Sequence, residues 1–153
     1  MWAKRIQKEI EEISKNSEEL QKEGISLEVD ESNMKLFHGS IIGPKETPYA
    51  GLKYDLEIKI GDDYPMKPPI MHFVHHTVYH PNVNTSGDIC VDILKSGWAP
   101  TLSLSKIMMS ICSLLNEPNP DSPLNSTAAH DWKNNRKKFQ DEVIRYWHEP
   151  TRK

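Results

Sequence analysis

Two thiols, Cys90 and Cys112, are the obvious candidates for covalent chemistry in this 153-residue chain. A thiolate is a strong nucleophile for acyl transfer. A free cysteine has a pKa of about 8.5, so only a few per cent is ionised at neutral pH. Such a group suits trans-thioesterification, which swaps one thioester for another and needs little driving force. The two settings differ. Cys112 lies within an apolar run, between Ile111 and Leu115, and reads as a small core hydrophobe. Cys90 follows Gly87-Asp88-Ile89 and precedes Val91-Asp92-Ile93-Leu94, outside any periodic element, where a side chain is better placed to be accessible. A plain buried cysteine is the alternative.

Asn82 stands eight positions before Cys90. Its amide offers two donors, which could stabilise the oxyanion formed when an amine attacks a thioester carbonyl. Equally, it could hydrogen-bond its own loop, as Asn often does in turns. His80, conformationally restricted before Pro81, reads as structural, although histidine is the usual acid–base residue. His72, His75, His76 and His80 cluster near Cys90, but neighbouring positions on a strand point to opposite faces. No Cys-x-x-Cys or His-Glu-x-x-His spacing appears, so no metal site is expected. A Cys–His hydrolase would need a histidine base oriented by a third group, and no motif around Cys90 supplies one.

These residues need a scaffold. Trp2, Ile6, Ile10 and Ile13 form one apolar stripe on an N-terminal helix. Lys4, Arg5, Lys8, Glu9, Glu11 and Glu12 lie off it, as a solvated face or a docking surface for an acidic partner. Residues 25 to 29, 34 to 42, 52 to 60 and 70 to 75 read as strands. In the third, Leu52, Tyr54, Leu56, Ile58 and Ile60 alternate with charged residues, the period of a half-buried antiparallel strand. Short connections predict a hairpin meander. Residues 61 to 69 hold three prolines and cannot be regular structure. Tyr64-Pro65 is a candidate cis bond there, with trans the default expectation. From about 77 to 101 the chain is irregular, and a loop this long in a compact domain is usually functional. Leu104, Ile107, Met108, Ile111, Leu114 and Leu115 then mark a broadly apolar, central helix. Trp132, Arg136, Phe139, Val143 and Tyr146 again show helical spacing, with room for a short helix before Trp132. Strands followed by helices read as an α+β fold: N-terminal helix, four-stranded antiparallel meander, long active-site loop, central helix and C-terminal helices.

The length suits a single domain over residues 1–153. With 37% hydrophobic and 27% charged residues and a net charge of -3, the composition is that of a globular protein. The mild acidity argues against a nucleic-acid binder. Two cysteines are too few for a disulfide scaffold, which predicts free thiols in a reducing compartment. No apolar run resembles a secretory signal or a membrane span, and little follows the last helix that could anchor the chain. Cytosol or nucleus is the expected address.

Several ordered motifs then converge. His80-Pro81-Asn82, Gly87-Asp88-Ile89-Cys90-Val91-Asp92-Ile93-Leu94 and Trp98-Ala99-Pro100 resemble the active-site signature of ubiquitin-conjugating enzymes. Tyr64-Pro65-Met66-Lys67-Pro68-Pro69 resembles that family's proline-rich segment, and Leu115 to Leu124 the segment after its central helix. The resemblance runs from about residue 2 to 147. It implies that Cys90 accepts ubiquitin's C-terminal glycine from the activating enzyme as a thioester, and passes it to a lysine of a substrate protein, usually with a RING or HECT ligase. No cofactor is implied, since ATP is used by the activating enzyme. By the same resemblance, Asn82 supports lysine attack or orders the loop, and His80, Pro81 and Asp92 shape the active site. Ser122 falls where the family places an Asp or Ser that positions the incoming lysine, with Asp121 beside it. Lys4, Arg5 and Lys8 face the activating enzyme or a ligase. Pro65, Met66, Trp98, Pro100 and Thr101 form the loops that ligases grip.

The chain also departs from the pattern. Met66 replaces a frequent Phe, which bears on ligase choice. Phe37 stands for a frequent Trp, Leu52 for a second glycine and Gly61 for a proline. The span from Cys90 to Trp98 is short, so the acidic insertion of some chain-building members is absent. The insertion of the SUMO-specific relative is absent too, which favours ubiquitin. An inactive scaffold of the same fold and an unrelated thiol hydrolase are the competing readings.

Overall fold

The computed structural model describes residues 2–152; of the span read as one domain, Met1 and Lys153 lie outside the described residues. Helix α1 (Trp2–Lys15) carries the expected stripe, with Ile6 buried and Trp2, Ile10 and Ile13 packed against the core. Glu9 departs from expectation. Its charge places it with the polar face, yet it is 1% exposed. Burying a carboxylate is costly unless hydrogen bonds replace its water. Three donors do so: the Tyr64 hydroxyl at 2.5 Å, the Leu104 amide at 3.2 Å and the Arg5 guanidinium at 3.2 Å. Next comes a short helix, α2 (Ser17–Lys22), anchored by Leu20. It carries too few apolar residues to show a period in the sequence.

Strands β1 (Ile25–Asp30), β2 (Asn33–Ile42), β3 (Lys53–Lys59) and β4 (Ile70–Val74) form one antiparallel sheet in sequential order, the predicted meander. The register puts the apolar positions in rows on one face. Leu27, Gly39, Leu56 and Phe73 form one row; Val29, Phe37, Ile58 and Met71 form the next. Helix α3 (Leu104–Asn116) lies over that face. Met108 packs over Gly39, where a Cβ would sit 2.7 Å from the tip of its side chain. Ser103 caps α3 by accepting the Lys106 amide at 3.2 Å. Leu104, Ile107, Met108, Ile111 and Leu115 are all buried, as the broad apolar face predicts.

The proline-rich stretch is irregular, and its Tyr64-Pro65 bond is cis rather than the default trans. Helices α4 (Ser126–Asn134) and α5 (Arg136–Trp147) follow. The periodic run from Trp132 to Tyr146 is therefore two helices, not one. Asn135 leaves the helical region at φ -152°, ψ 80°, and its side chain accepts the Lys138 amide at 3.1 Å to cap α5. The Trp132–Arg136 contact survives the break, with the guanidinium 3.4 Å from the ring centroid.

Candidate active site

The long loop after β4 is irregular but tightly held. Asn84 accepts the amides of Ser86 (3.0 Å) and Asp88 (2.9 Å) on its side-chain oxygen, closing a tight turn. Gly87 completes the turn at φ +88°, and its carbonyl takes the Phe73 amide at 2.9 Å. A Cβ on Gly87 would lie 2.1 Å from the Phe73 carbonyl oxygen, so only glycine fits against β4 here. The two arms of the turn meet through Val83 and Ile89. The last rung is the Cys90 amide on the Asn82 carbonyl, at 2.8 Å. Eight residues apart in sequence, Asn82 and Cys90 become neighbours because the turn folds back.

Cys90 is half-buried, and Lys95 Nζ lies 3.7 Å from its sulfur. A single 3-10 turn, Asp92–Leu94, separates the two. The Asp92 carbonyl accepts the amides of Lys95 and Gly97, both at 2.9 Å, while the Asp92 side chain is exposed. Cys112, by contrast, is 8% exposed inside α3. Burial, aided by the charge of Glu23, pushes its thiol pKa up, away from the reactive thiolate form.

Asn82 is 2% exposed and its side chain is fully engaged. Its amide nitrogen donates to the Asn119 carbonyl at 2.7 Å and reaches the Ser122 carbonyl at 3.5 Å. Its amide oxygen accepts the Asn119 backbone N–H at 2.8 Å. The neighbouring Pro81 carbonyl takes the amides of Leu124 (2.8 Å) and Asn125 (3.1 Å). Residues 81–82 thus stitch the segment 119–125 to the Cys90 loop. Ser122 and Asp121 are exposed on that segment, and Asp121 pairs with Lys133 at 3.6 Å.

His80 lies beneath, with no exposed surface. Its Nδ1 faces the Asn82 backbone N–H at 2.9 Å and must accept from it. Its Nε2 therefore carries the proton and donates to the Leu114 carbonyl at 2.7 Å. Burial lowers the ring's pKa to about 4 from 6.5, against the opposing pull of the Leu114 bond. A neutral, sealed imidazole is a strut between the loop and α3, not a proton shuttle. Two of the other clustered histidines have separate partners: His75 bonds Asp55 at 2.9 Å, and His76 stacks on Trp147 at 4.0 Å. Among the described residues no cluster of His, Cys, Asp or Glu could hold a metal ion.

Hydrogen bonds join some of the remaining candidates. Trp98 donates its indole N–H to the Pro65 carbonyl at 3.0 Å, joining the two exposed loops. Met66 is 65% exposed next to Pro65, and Pro100 and Thr101 are exposed just after Trp98 in the chain. Arg5 points inward: it donates to the carbonyls of Pro100 (2.5 Å) and Leu102 (2.9 Å) as well as to Glu9. Lys4 and Lys8 are left as exposed charges of α1. The buried Glu9 carboxylate thus ties α1 to both loops and to the start of α3. Burial and Glu9 together push the Tyr64 hydroxyl pKa well above its usual range.

Sequence reasoning did not single out Lys95, Glu9 or Asn119. A signal existed for Lys95, the sole cationic residue between Cys90 and Trp98. For Glu9 the signal was its spacing, three residues after Ile6 and four before Ile13, on the apolar face, although its partners are remote in sequence.

The fold and this loop arrangement have known counterparts. The ubiquitin-conjugating enzyme family model matches residues 5–147. The E2 domain of a ubiquitin conjugating enzyme from Toxoplasma gondii is similar over 98% of this chain and 99% of that one, with 30% identity and a TM-score of 0.83. Both similarities take in the helices, the sheet and the Cys90 loop together, and the chain belongs to the ubiquitin-conjugating enzyme family.

Proposed function

We propose that this chain is a single catalytic core domain that carries ubiquitin as a thioester on Cys90 and delivers it to lysine. The Cys90 thiolate attacks the thioester carbonyl presented by the activating enzyme, whose own thiol leaves. A substrate amine then attacks the new thioester, an isopeptide bond forms and the Cys90 thiolate departs. The observation that carries this reading is the contrast between the two thiols: Cys90 is reachable on a pinned loop, and Cys112 is enclosed in α3.

Asn82 serves this chemistry by holding the segment of Ser122 and Asp121 against the Cys90 loop, since its amide protons already point at two carbonyls. Ser122 and Asp121 position the incoming lysine. His80, Pro81 and Asp92 maintain the loop through the bonds described. Lys4 and Lys8 offer charge to the activating enzyme, with Arg5 shaping that surface from within. Pro65, Met66, Trp98, Pro100 and Thr101 receive a RING or HECT ligase. The domain binds no cofactor, ATP being consumed by the activating enzyme, and works in cytosol and nucleus. No helix among the described residues is long and apolar enough to cross a membrane.

The test is charging with activating enzyme, ATP and ubiquitin, followed by a non-reducing gel. A reductant-sensitive shift is expected, absent in Cys90→Ala and retained in Cys112→Ala. Charging that survives Cys90→Ala, or no shift with ubiquitin or any related modifier, overturns the proposal.

A further inference from the structure

The chain beyond α5 lies back across both ends of the loop that carries His80, Pro81 and Asn82. At the start of that loop the Thr77 amide donates to the Glu149 carbonyl at 2.9 Å, and the Thr151 amide donates to the His75 carbonyl at 3.1 Å. Two hydroxyls add to this. Thr77 Oγ1 donates to the Pro150 carbonyl at 2.9 Å, and Thr151 Oγ1 to the His76 carbonyl at 3.1 Å. At the far end the Arg152 amide donates to the Thr85 carbonyl at 3.0 Å. Residues 149–152 thus bond both ends of segment 75–85. They are anchored from behind, because the His76 ring stacks on Trp147 at 4.0 Å and the Trp147 indole N–H donates to the Lys53 carbonyl at 2.8 Å.

Both bracketed ends bear on the thiol. His75 holds φ +73°, a left-handed conformation that costs energy in a residue with a side chain, and its carbonyl is the one that the Thr151 amide takes. Thr85 lies in the turn whose fold-back puts the Cys90 amide on the Asn82 carbonyl. Between the two ends, Asn82 reaches out to Asn119 and Ser122. The bracket itself buries little: Pro150 and Arg152 are exposed, and Glu149 and Thr151 are half-buried. It therefore acts on the loop rather than on the core. We propose that residues 149–152 are a positioning element of the transfer step, with Thr151 as their central contact. By fixing both ends of segment 75–85 they keep Asn82, and the acceptor-side segment that Asn82 holds, in register with Cys90. This rests on the thioester reading above and adds a control of that same site.

The bracket matters to one half of the reaction more than to the other. Charging asks only that the sulfur be reachable. Transfer also asks that the acceptor amine, the thioester carbonyl and the Asn82-held segment keep one geometry. A shift of about 1 Å in a positioning group costs on the order of a hundredfold in such a step. Releasing one end of the loop leaves its other bonds in place, so the loss expected here is smaller, about tenfold. Thr151 bonds to His75 and His76 and acts through them, so the loss falls on kcat and leaves KM for the amine as it was. Global stability hardly changes, because bonds at partly exposed sites open locally before the core does.

The experiment charges the full chain with ubiquitin, removes ATP, and follows discharge to free lysine over a range of lysine concentrations. Thr151→Pro removes the amide and hydroxyl donors together, Thr151→Val removes the hydroxyl alone, and Thr151→Ser keeps both. Thr151→Pro should lower kcat by about tenfold, with KM, charging and the urea midpoint close to native. Thr151→Val should fall between, and Thr151→Ser should match the native chain. Hydrogen exchange of the Thr77 and Cys90 amides should quicken in Thr151→Pro. A native kcat in Thr151→Pro, an equal loss in Thr151→Ser, or a joint loss of charging and transfer with a lowered urea midpoint overturns the proposal and leaves the thioester reading intact. If the native chain forms no thioester, the earlier reading falls and amide exchange decides this one: faster Cys90 exchange in Thr151→Pro upholds the bracket, and unchanged protection overturns it.

Discussion

Lowering the pH from 7 toward 4 challenges one buried group in this fold, His80. The ring has no exposed surface and both nitrogens are engaged, Nδ1 as acceptor and Nε2 as donor. Protonating Nδ1 would set an N–H against the Asn82 N–H. The folded ring therefore titrates at about 4, against 6.5 in an open chain. As pH falls below 6.5, the unfolded chain binds this proton before the folded one does, which favours unfolding. The contribution is fully present above 6.5, drains between 6.5 and about 4, and changes no further below that. At 1.36 kcal/mol per pH unit the total is roughly 3 kcal/mol, of which about 2 kcal/mol is gone by pH 5. Against a typical stability of 5–15 kcal/mol this is a large fraction. The assay is urea unfolding at intervals from pH 7 to pH 4, for the native chain and for His80→Asn. The variant is less stable at pH 7, having lost part of the strut, but its stability should fall less steeply, because the side chain no longer titrates. The difference between the two pH slopes isolates His80 from the carboxylates. Parallel slopes from pH 6.5 to 4.5 would refute the reasoning.

Other perturbations test how the site is held. Glu9→Ala leaves Arg5, the Tyr64 hydroxyl and the Leu104 amide without their shared acceptor, and should cost about 3 kcal/mol in urea unfolding, the low end for breaking a buried pair because Arg5 keeps its two carbonyls. A loss under about 1 kcal/mol would show that the network contributes little. Gly87→Ala places a methyl against the Phe73 carbonyl at positive φ, and should cost more than about 2 kcal/mol while unseating the turn that sets Cys90 beside Asn82. Hydrogen exchange of the Phe73 and Cys90 amides reads this directly; unchanged protection would mean the turn tolerates the side chain.

Periodic segments illustrate how far local pattern reaches. The alternation from Leu52 to Ile60 is a property of consecutive residues, and the register of β3 follows it. The apolar face from Leu104 to Leu115 likewise dictates that α3 is buried and that Cys112 is a core residue. The ordered motifs around Cys90 marked the thiol because an accessible cysteine outside any period has few structural reasons to be there. The same periodic reading joined Trp132 to Tyr146, because Asn135 breaks the backbone without breaking the spacing.

Contacts between distant segments escaped such reading. By charge Glu9 looks like its solvated neighbours until Tyr64 and Leu104 arrive, 55 and 95 residues later in the chain, to satisfy it. Arg5 looks like a surface charge until Pro100 and Leu102 turn their carbonyls toward it. Residue type and period point to Cys90 as the candidate nucleophile and lay out the layers of the fold, because both readings draw on near neighbours and on burial. Which protonation state His80 adopts, where the Asn82 amide points and which amine stands beside Cys90 were settled by the packing of remote loops, since hydrogen bonds and charge pairs depend on distances that local sequence does not encode.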